Sequence, residues 1–218
     1  MCTRGTVVVA TTRMKASPTL IVPAAGRGSR FSGAGGLGHK LAQPLDGSSV
    51  LECTLRAVLS SQLPCLVVTT AELAPLAWRQ LPRRDVLVLS AGEAVRGMGY
   101  SIAAGVAERS ASPGWLVLPG DMPRVQPASL QAVAAALSQQ IVVWAQHRGR
   151  RGHPVGFAAE LYSELVQLDG DDGACRVVAR YPGVAVELAD PGVLQDVDTP
   201  DDLDALGGVA APRQATGS

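Results

Sequence analysis

Lysine is scarce in this sequence, and its scarcity draws attention to one position. Seventeen of the 19 basic residues are arginine, and the two lysines are Lys15 and Lys40. Lys15 lies in a leader rich in Thr and Ser, so Lys40 is the single lysine of the predicted folded body. A compact ammonium and a planar guanidinium bind anions differently. Lys40 is therefore a candidate functional residue, although an incidental surface lysine remains the alternative.

Several other features are missing, and each one excludes a class of protein. Basic and acidic residues are equal at 19 each, which gives no net attraction to nucleic acid or to a membrane surface. The four cysteines are scattered without C-x-x-C spacing, which argues against a structural zinc site or a disulfide framework. Apolar runs fall short of the roughly 18 residues of a membrane span, and no convincing signal peptide is present. These absences favour a cytoplasmic protein that has neither nucleic acid nor membrane as a partner.

Length and composition indicate one domain with an aliphatic core. Hydrophobic residues make up 47% of the 218 positions and aromatic residues only 4%. This is enough for one well-buried core. We expect a disordered leader over residues 1–18, a single domain over 19–206 and a flexible tail over 207–218.

Short aliphatic runs alternate with helical patterns, which is typical of βαβ units and predicts an α/β fold with a mainly parallel sheet flanked by helices. Apolar spacing predicts helices around Leu51–Leu59 and Leu130–Leu137, then two short helices at about 160–168 and 173–180. Thr199 and Pro200 predict the start of a final helix. The predicted strands are Leu20–Pro23, Leu66–Thr69, Val86–Leu89, Trp115–Leu118, Ile141–Ala145, Val184–Leu188 and Gln195–Asp198.

A glycine-rich, basic loop follows the first predicted strand. Glycines let backbone N–H groups approach phosphate oxygens, and Arg27, Arg30 and Lys40 add charge suited to a triphosphate. Phe31 stands where the dinucleotide-binding fingerprint needs its third glycine, and Leu41 stands where a P-loop needs Ser or Thr. The loop is thus a phosphate cradle of neither common type, or else a flexible surface loop.

Carboxylates near the predicted ends of two strands complete a possible metal site. Asp121 lies too far from the helix at Pro127 to cap it, while Asp196 and Asp198 would share one face of a strand. Mg²⁺ binds through one or two carboxylates, waters and substrate phosphates, so Asp121 and Asp198 are the predicted metal ligands. Arg30 and Lys40 would stabilise the departing pyrophosphate. A simple turn role for Asp121 is the alternative.

A basic segment, Arg148–Pro154, is predicted to be a loop. Its arginines suit a phosphate, and His153 could donate a hydrogen bond to a ligand heteroatom. A solvated basic loop is the alternative. Zinc binding is disfavoured because the three histidines lack supporting ligand spacing.

At these residues the sequence resembles the molybdenum cofactor nucleotidyltransferase family over about residues 19–206. The segments that carry the resemblance are Ala24-Ala25-Gly26 with Arg30 and Lys40, Gly97-Met98-Gly99 with Ser101, Gly120-Asp121-Met122-Pro123, Arg151-Gly152-His153-Pro154, and Asp196-Val197-Asp198-Thr199-Pro200-Asp201-Asp202. Ala-Ala-Gly and Gly-Asp-Met-Pro are most like the cytidylyltransferase branch. The segment Gly170–Arg176 is similar to a family G-D-x-G-A-R motif, but Cys175 stands where the motif has arginine.

The resemblance implies a Rossmann-like nucleotide-binding fold of the nucleotide-diphospho-sugar transferase type. It implies transfer of CMP from CTP to the phosphate of molybdopterin with Mg²⁺ as cofactor, and a molybdoenzyme or its maturation chaperone as a further partner. The catalytic residues that it implies are Arg30, Lys40 and Asp121, and the metal ligands that it implies are Asp121 and Asp198. Acceptor binding would fall to Arg151, Gly152, His153 and Pro154, and nucleotide binding to Ala24, Ala25, Gly26, Arg27, Gly28, Met98, Gly99 and Ser101.

Three alternatives stay open from the sequence. The first is nucleotidyl transfer with GTP, or to another phosphorylated acceptor such as a sugar or polyol phosphate. The second is an NAD(P)-dependent oxidoreductase, against which the failed fingerprint at Phe31 counts. The third is a cofactor carrier or chaperone that has kept the fold without the activity.

Overall fold

The computed structural model describes residues 17–207. The predicted leader and tail lie outside these residues except for their innermost positions, and both remain predictions. Within residues 17–207, every helix is too short or too polar to cross a membrane.

Nine strands lie in the described part of the chain, and seven of them form one sheet in the order β5-β4-β1-β6-β8-β7-β9. The strands are β1 (Thr19–Ala24), β2 (Pro44–Leu45), β3 (Ser48–Ser49), β4 (Cys65–Thr70), β5 (Val86–Leu89), β6 (Gly114–Val117), β7 (Val142–His147), β8 (Arg150–Ala158) and β9 (Gly183–Glu187). β8 runs antiparallel to both of its neighbours, whereas the other pairs in the large sheet are parallel. The predicted mainly parallel α/β fold is confirmed.

Helices cover both faces of the large sheet. They are α1 (Ser29–Gly33), α2 (Val50–Ser60), α3 (Ala74–Trp78), α4 (Ala91–Ala94), α5 (Met98–Glu108), α6 (Pro127–Leu137), α7 (Tyr162–Leu165), α8 (Cys175–Arg180) and α9 (Pro200–Ala205). Short 3₁₀ turns lie at Lys40–Ala42, Arg83–Asp85, Ala159–Leu161 and Pro191–Leu194. Both short helices predicted near 160–168 and 173–180 are present but shorter than expected.

The core consists of two apolar layers, one on each face of the sheet. Along β1, Leu20 and Val22 pack in one layer and Ile21 packs in the other, as alternation along a doubly covered strand requires. Helices α2 and α6 close the first layer, and α5 closes the second. This packing fixes the carboxyl ends of β1, β5 and β6 along one edge of the sheet, where ligands bind in such folds.

Helix starts follow the local sequence closely. Ser49 and Glu52 form a reciprocal capping box at α2, and Pro127 occupies the first turn of α6. Thr199 and Asp202 form another capping box at α9, so Asp202 has the structural role that its position predicts. These caps stabilise the elements that carry the site.

Two predictions about local structure were wrong. Arg148–Pro154 is not a loop: Arg148 and Gly149 make a tight turn with positive φ, and β8 begins at Arg150. Gln195–Asp198 is not a strand, because its backbone is bound by the surrounding structure instead of a neighbouring strand. The Val197 N–H donates to the Asp121 carbonyl at 3.0 Å, and the Asp198 N–H donates to the Asp202 carboxylate at 3.1 Å.

Candidate active site

A cleft of about 580 Å³ lies at the carboxyl edge of the sheet. Its walls are the loops that follow β1, β5 and β6, together with the start of β8 and the segment before α9. β8 contributes because it is antiparallel to β6: Val155 lies beside Val117 at the end of β6, so the residues before Val155 extend past that end. The cleft therefore brings together residues from the glycine-rich loop, the loop that holds Asp121, β8 and the segment that holds Asp198.

Asp121 reaches the cleft because Gly120 lets its loop lie directly against β1. The Gly120 N–H donates to the Pro23 carbonyl at 3.0 Å, and a Cβ at Gly120 would lie only 3.1 Å from the Cβ of Ala24. Any larger side chain would push the loop outward. Asp121 itself is 8% exposed, which makes it one of the few buried carboxylates in the described residues.

Lys40 is placed by the residue before it. The His39 Nδ1 accepts a hydrogen bond from the Leu41 N–H at 3.2 Å, so the proton is on Nε2, which donates to the Gly26 carbonyl at 2.8 Å. This bridge returns the long segment Ser32–His39 to the glycine-rich loop and starts the 3₁₀ turn at Lys40. This role of His39 was not predicted from the sequence, in which its one signal is that it adjoins Lys40.

The Lys40 ammonium lies between the two predicted metal ligands. Its Nζ donates to Asp121 Oδ2 at 2.6 Å and to Asp198 Oδ1 at 2.9 Å. Burial would lower the pKa of Lys40, but the charges and hydrogen bonds of Asp121 and Asp198 outweigh burial and raise it. The predicted convergence of these three residues is thus present in the structure, and they meet as a buried ion-pair network.

Asp198 and Asp196 both line the cleft, although they are not on a strand. Burial would raise the pKa of Asp198, but Lys40 and Arg30 hold it below its usual range. The pKa of Asp196 is raised, first by burial and then by the negative charges of Asp121 and Asp198. Asp196 is a third carboxylate at this end of the cleft, and the sequence did not single it out as a ligand.

The predicted phosphate-binding cations lie on one side of the cleft. Arg30 makes an ion pair with Asp198 and is otherwise largely exposed, while Arg27 also lines the cleft. Gly28 adopts a left-handed conformation, with φ of 64°, at the start of α1. Arg27 and Arg30 thus place two cationic side chains at the cleft.

Most of the predicted nucleotide-binding residues line the cleft, and two lie behind it. Ala24, Gly26, Arg27, Gly28, Met98 and Ser101 are lining residues. Ala25 is buried in the apolar layer on the α5 side. Gly99 packs against the backbone of Asp169, where a Cβ would approach within 2.7 Å. Ala25 and Gly99 therefore support the walls of the cleft.

The four predicted acceptor-binding residues separate into different environments. His153 lines the cleft, with its Nδ1 buried and unpartnered among the described residues. Its pKa is lowered by burial, which outweighs the opposing effect of Asp121 and Asp196. Arg151 stacks on Trp144 at 4.4 Å from the ring centre, Pro154 is buried, and Gly152 packs against Val193. The arginines of this segment do not converge with His153 in the cleft.

The residues present fit a divalent cation. Two carboxylates approach one ammonium within hydrogen-bonding distance, so they already surround a single cationic position. The second oxygen of Asp121, Oδ1, is buried and has no hydrogen-bond partner among the described residues. No group of three or more His, Cys, Asp or Glu residues in the described range forms a complete protein cage. Two carboxylates completed by phosphate and water are the arrangement that Mg²⁺ prefers.

A larger groove of about 750 Å³ lies at the opposite edge of the sheet, beside the starts of β7 and β9. Among residues 17–207, its lining is mainly apolar and amide side chains, with Glu160 as the one charged group. These lining residues include no candidate catalytic residue, so the smaller cleft is the candidate functional site.

The fold and the cleft define a nucleotide-binding enzyme site, in which a cationic glycine-rich loop faces paired carboxylates. The chain belongs to the MobA-like NTP transferase domain family, which matches residues 20–211, and it is a nucleotidyltransferase. Its relatives include the purine catabolism protein PucB of Bacillus subtilis (strain 168). That protein is 30% identical over 180 residues, which cover 77% of this chain and 87% of PucB.

Two solved structures have the same fold. A nucleotidyl transferase from Methanothermobacter thermautotrophicus (Mth528) is 26% identical with a TM-score of 0.71, over 87% of this chain and 95% of that one. Rv0371c from Mycobacterium tuberculosis H37Rv, solved as a complex with manganese, is 25% identical with a TM-score of 0.67. That match covers 87% of this chain and 97% of Rv0371c. The predicted nucleotidyltransferase-type fold is confirmed.

Proposed function

We propose that the protein transfers CMP from CTP to the phosphate of molybdopterin, with Mg²⁺ as cofactor and release of pyrophosphate. The observation that carries this proposal is the Lys40 ammonium bound between Asp121 and Asp198 beside the glycine-rich loop. The choice of CTP and molybdopterin rests on the resemblance of Ala24–Gly26 and Gly120–Pro123 to the cytidylyltransferase branch.

Asp121 and Asp198 would hold the cation. When bound, Mg²⁺ would neutralise phosphate charge and make the α-phosphorus more electrophilic. Manganese in the Rv0371c structure supports a divalent cation for this chain. Asp196 lies near enough for the negative charges of Asp121 and Asp198 to add to the effect of burial and raise its pKa.

The reaction needs positioning and charge stabilisation, and no covalent nucleophile of the protein. A phosphate oxygen of the acceptor attacks the α-phosphorus, the bond from that phosphorus to the oxygen bridging to the β-phosphate breaks, and pyrophosphate leaves with its electron pair. In the loaded site Lys40 turns toward the triphosphate, where it and Arg30 stabilise the developing charge. His153, on the β8 side of the same cleft, would bind the acceptor.

Two variations on this proposal concern its substrates. GTP could replace CTP, and a sugar or polyol phosphate could replace molybdopterin. The name of PucB links that relative to purine catabolism, which leaves room for a different acceptor in this chain. Family membership favours nucleotidyl transfer over the oxidoreductase and carrier hypotheses.

The test is pyrophosphate release with each of the four NTPs, with and without molybdopterin and Mg²⁺ or Mn²⁺. We expect release only when CTP, acceptor and metal are all present, and a product whose mass equals molybdopterin plus CMP. Faster turnover with GTP would assign the protein to guanylyl transfer. Absence of release with every NTP would contradict the proposal.

A further inference from the structure

Asp171 presents an unpaired carboxylate to the cleft. It lies in the segment between α7 and α8 and lines the cleft together with Gly97 and Met98. Its side chain is exposed and has no hydrogen bond or ion pair with any residue in the described range. The neighbouring Asp172, in contrast, is ion-paired with Arg176 at 3.1 Å.

The backbone around Asp171 is held firmly against the start of α5. The Gly99 N–H donates to the Gly170 carbonyl at 2.8 Å, and the Gly170 N–H donates to the Arg96 carbonyl at 2.8 Å. The Arg96 guanidinium also makes an ion pair with Asp169 at 3.0 Å. These contacts hold residues 169 and 170, directly before Asp171, against the start of α5.

Gly97 leaves the space that the carboxylate occupies. A Cβ built on Gly97 would lie 2.5 Å from Asp171 Oδ1 and also 2.5 Å from the backbone carbonyl carbon of Gly170, which cannot move aside as a side chain can. Gly97 also has φ of 92°, a conformation that favours glycine. The sequence therefore provides a glycine at the point where Asp171 needs room.

The position of Asp171 in the cleft indicates which part of a nucleotide it meets. In the large sheet, β4 and β5 lie on one side of β1, and β6 and β8 lie on the other. Lys40 and the paired carboxylates would take the phosphates, and His153 is on β8. Asp171 lies against Gly97, in the segment that follows β5, so the nucleoside would lie beside it when the acceptor occupies the β8 flank.

We propose that Asp171 selects the base of the nucleotide by accepting a hydrogen bond from its exocyclic amino group. The inference rests on the proposed function and adds a specificity-determining residue to it. An ionised carboxylate is only an acceptor. It can accept a hydrogen bond from the 4-amino group of cytosine. The 4-oxygen of uracil is itself an acceptor, so it cannot form a hydrogen bond with the carboxylate. CTP is therefore favoured over UTP at this position.

Titration calorimetry with Mg²⁺ and no acceptor tests this directly. The nucleotides are CTP, UTP and N4,N4-dimethyl-CTP, which has no 4-amino hydrogen. We expect the wild-type protein to bind CTP at least about tenfold more tightly than either other nucleotide, the size of one charge-assisted hydrogen bond. In Asp171→Asn the ratio of CTP to UTP affinity should fall about tenfold, because an amide can also donate to the uracil oxygen.

Asp172→Asn is the matched control, since its carboxylate is paired with Arg176 and does not line the cleft; its affinity ratio should equal that of the wild type. Equal binding of CTP and N4,N4-dimethyl-CTP by the wild-type protein would overturn the proposal without any variant. The proposal would also be overturned if Asp171→Asn left the ratio of CTP to UTP affinity unchanged, including the case in which both affinities fall equally. If CTP still supports transfer in those cases, only the role of Asp171 fails. If no nucleotide binds with Mg²⁺, the proposed function fails as well.

Discussion

Replacing Lys40 with methionine tests whether the carboxylate pair is a cation site. The side chains of Lys40 and Asp121 are 15% and 12% exposed, and Asp198 is 26% exposed. Removing one partner of a buried ion pair costs about 3–5 kcal/mol. Because Asp198 is partly solvated, we expect about 3 kcal/mol of lost stability. For a domain of this size that lowers Tm by about 6–12 °C.

A divalent cation should reverse this loss, because it can replace the missing ammonium between the carboxylates. Urea unfolding of the wild type and of Lys40→Met, each with and without Mg²⁺, measures both effects. The Mg²⁺-dependent gain in stability should be larger in the variant. Arg79→Met is the control, since Arg79 pairs with the buried carboxylate of Glu52 outside the cleft and its variant should gain nothing extra from Mg²⁺. If Lys40→Met is as stable as the wild type, or if Mg²⁺ stabilises all three proteins equally, the reasoning is refuted.

Four further outcomes follow from the same contacts. Asp121→Asn should lower kcat by on the order of 10²–10³ in pyrophosphate release while the protein stays folded by circular dichroism, and near-normal turnover would remove this carboxylate from the site. His39→Ala should weaken CTP binding by several-fold in calorimetry through misplacement of Lys40, and unchanged affinity would show that the bridge to the loop is dispensable. The pKa of Asp198 is lowered in the folded state, so the ionised carboxylate stabilises the protein above the unfolded pKa of about 3.9. This stabilisation is lost as pH falls through the folded pKa. In acid unfolding, Lys40→Met should lose less stability over this pH range than the wild type, because the ammonium that lowers the pKa of Asp198 is absent. Cys65 is half-buried, and burial raises its pKa to about 11, so peptide mapping after alkylation at pH 8 should find it almost unmodified; rapid labelling there would contradict the raised pKa.

The sequence was sufficient to predict β1, β4, β5 and β6 but not the start of β8. Strands β1, β4, β5 and β6 are short aliphatic runs whose signal is local. β8 begins with Arg150–Pro154, whose glycine, proline and charges are typical of a loop. It becomes a strand because β7 pairs with Arg150 and Arg151, and both β6 and β7 pair with the residues from Val155 onward, which is a tertiary effect.

The site shows the same division. Asp121 could be predicted from its place after a strand, because such residues meet at the carboxyl edge of a parallel sheet. Asp198 was predicted from the family resemblance of Asp196–Asp202 and from a strand that the structure does not contain. Lys40 was predicted for this site as well, but its placement between the two carboxylates was not, since it depends on the His39–Gly26 hydrogen bond across a long glycine-rich segment. The sequence places Asp171 in a segment similar to a family motif, but it does not predict that Asp171 lies beside Gly97 in the cleft, because that depends on contacts with residues more than 70 positions away.

The most direct test of the central claim is a crystal structure with Mn²⁺ and CTP, examined for anomalous scattering from manganese. We expect one strong peak within coordination distance of both Asp121 and Asp198, with the CTP phosphates beside it and Lys40 turned from the carboxylates to the triphosphate. A peak elsewhere in the chain, or CTP bound with Lys40 still bridging Asp121 and Asp198, would contradict the account.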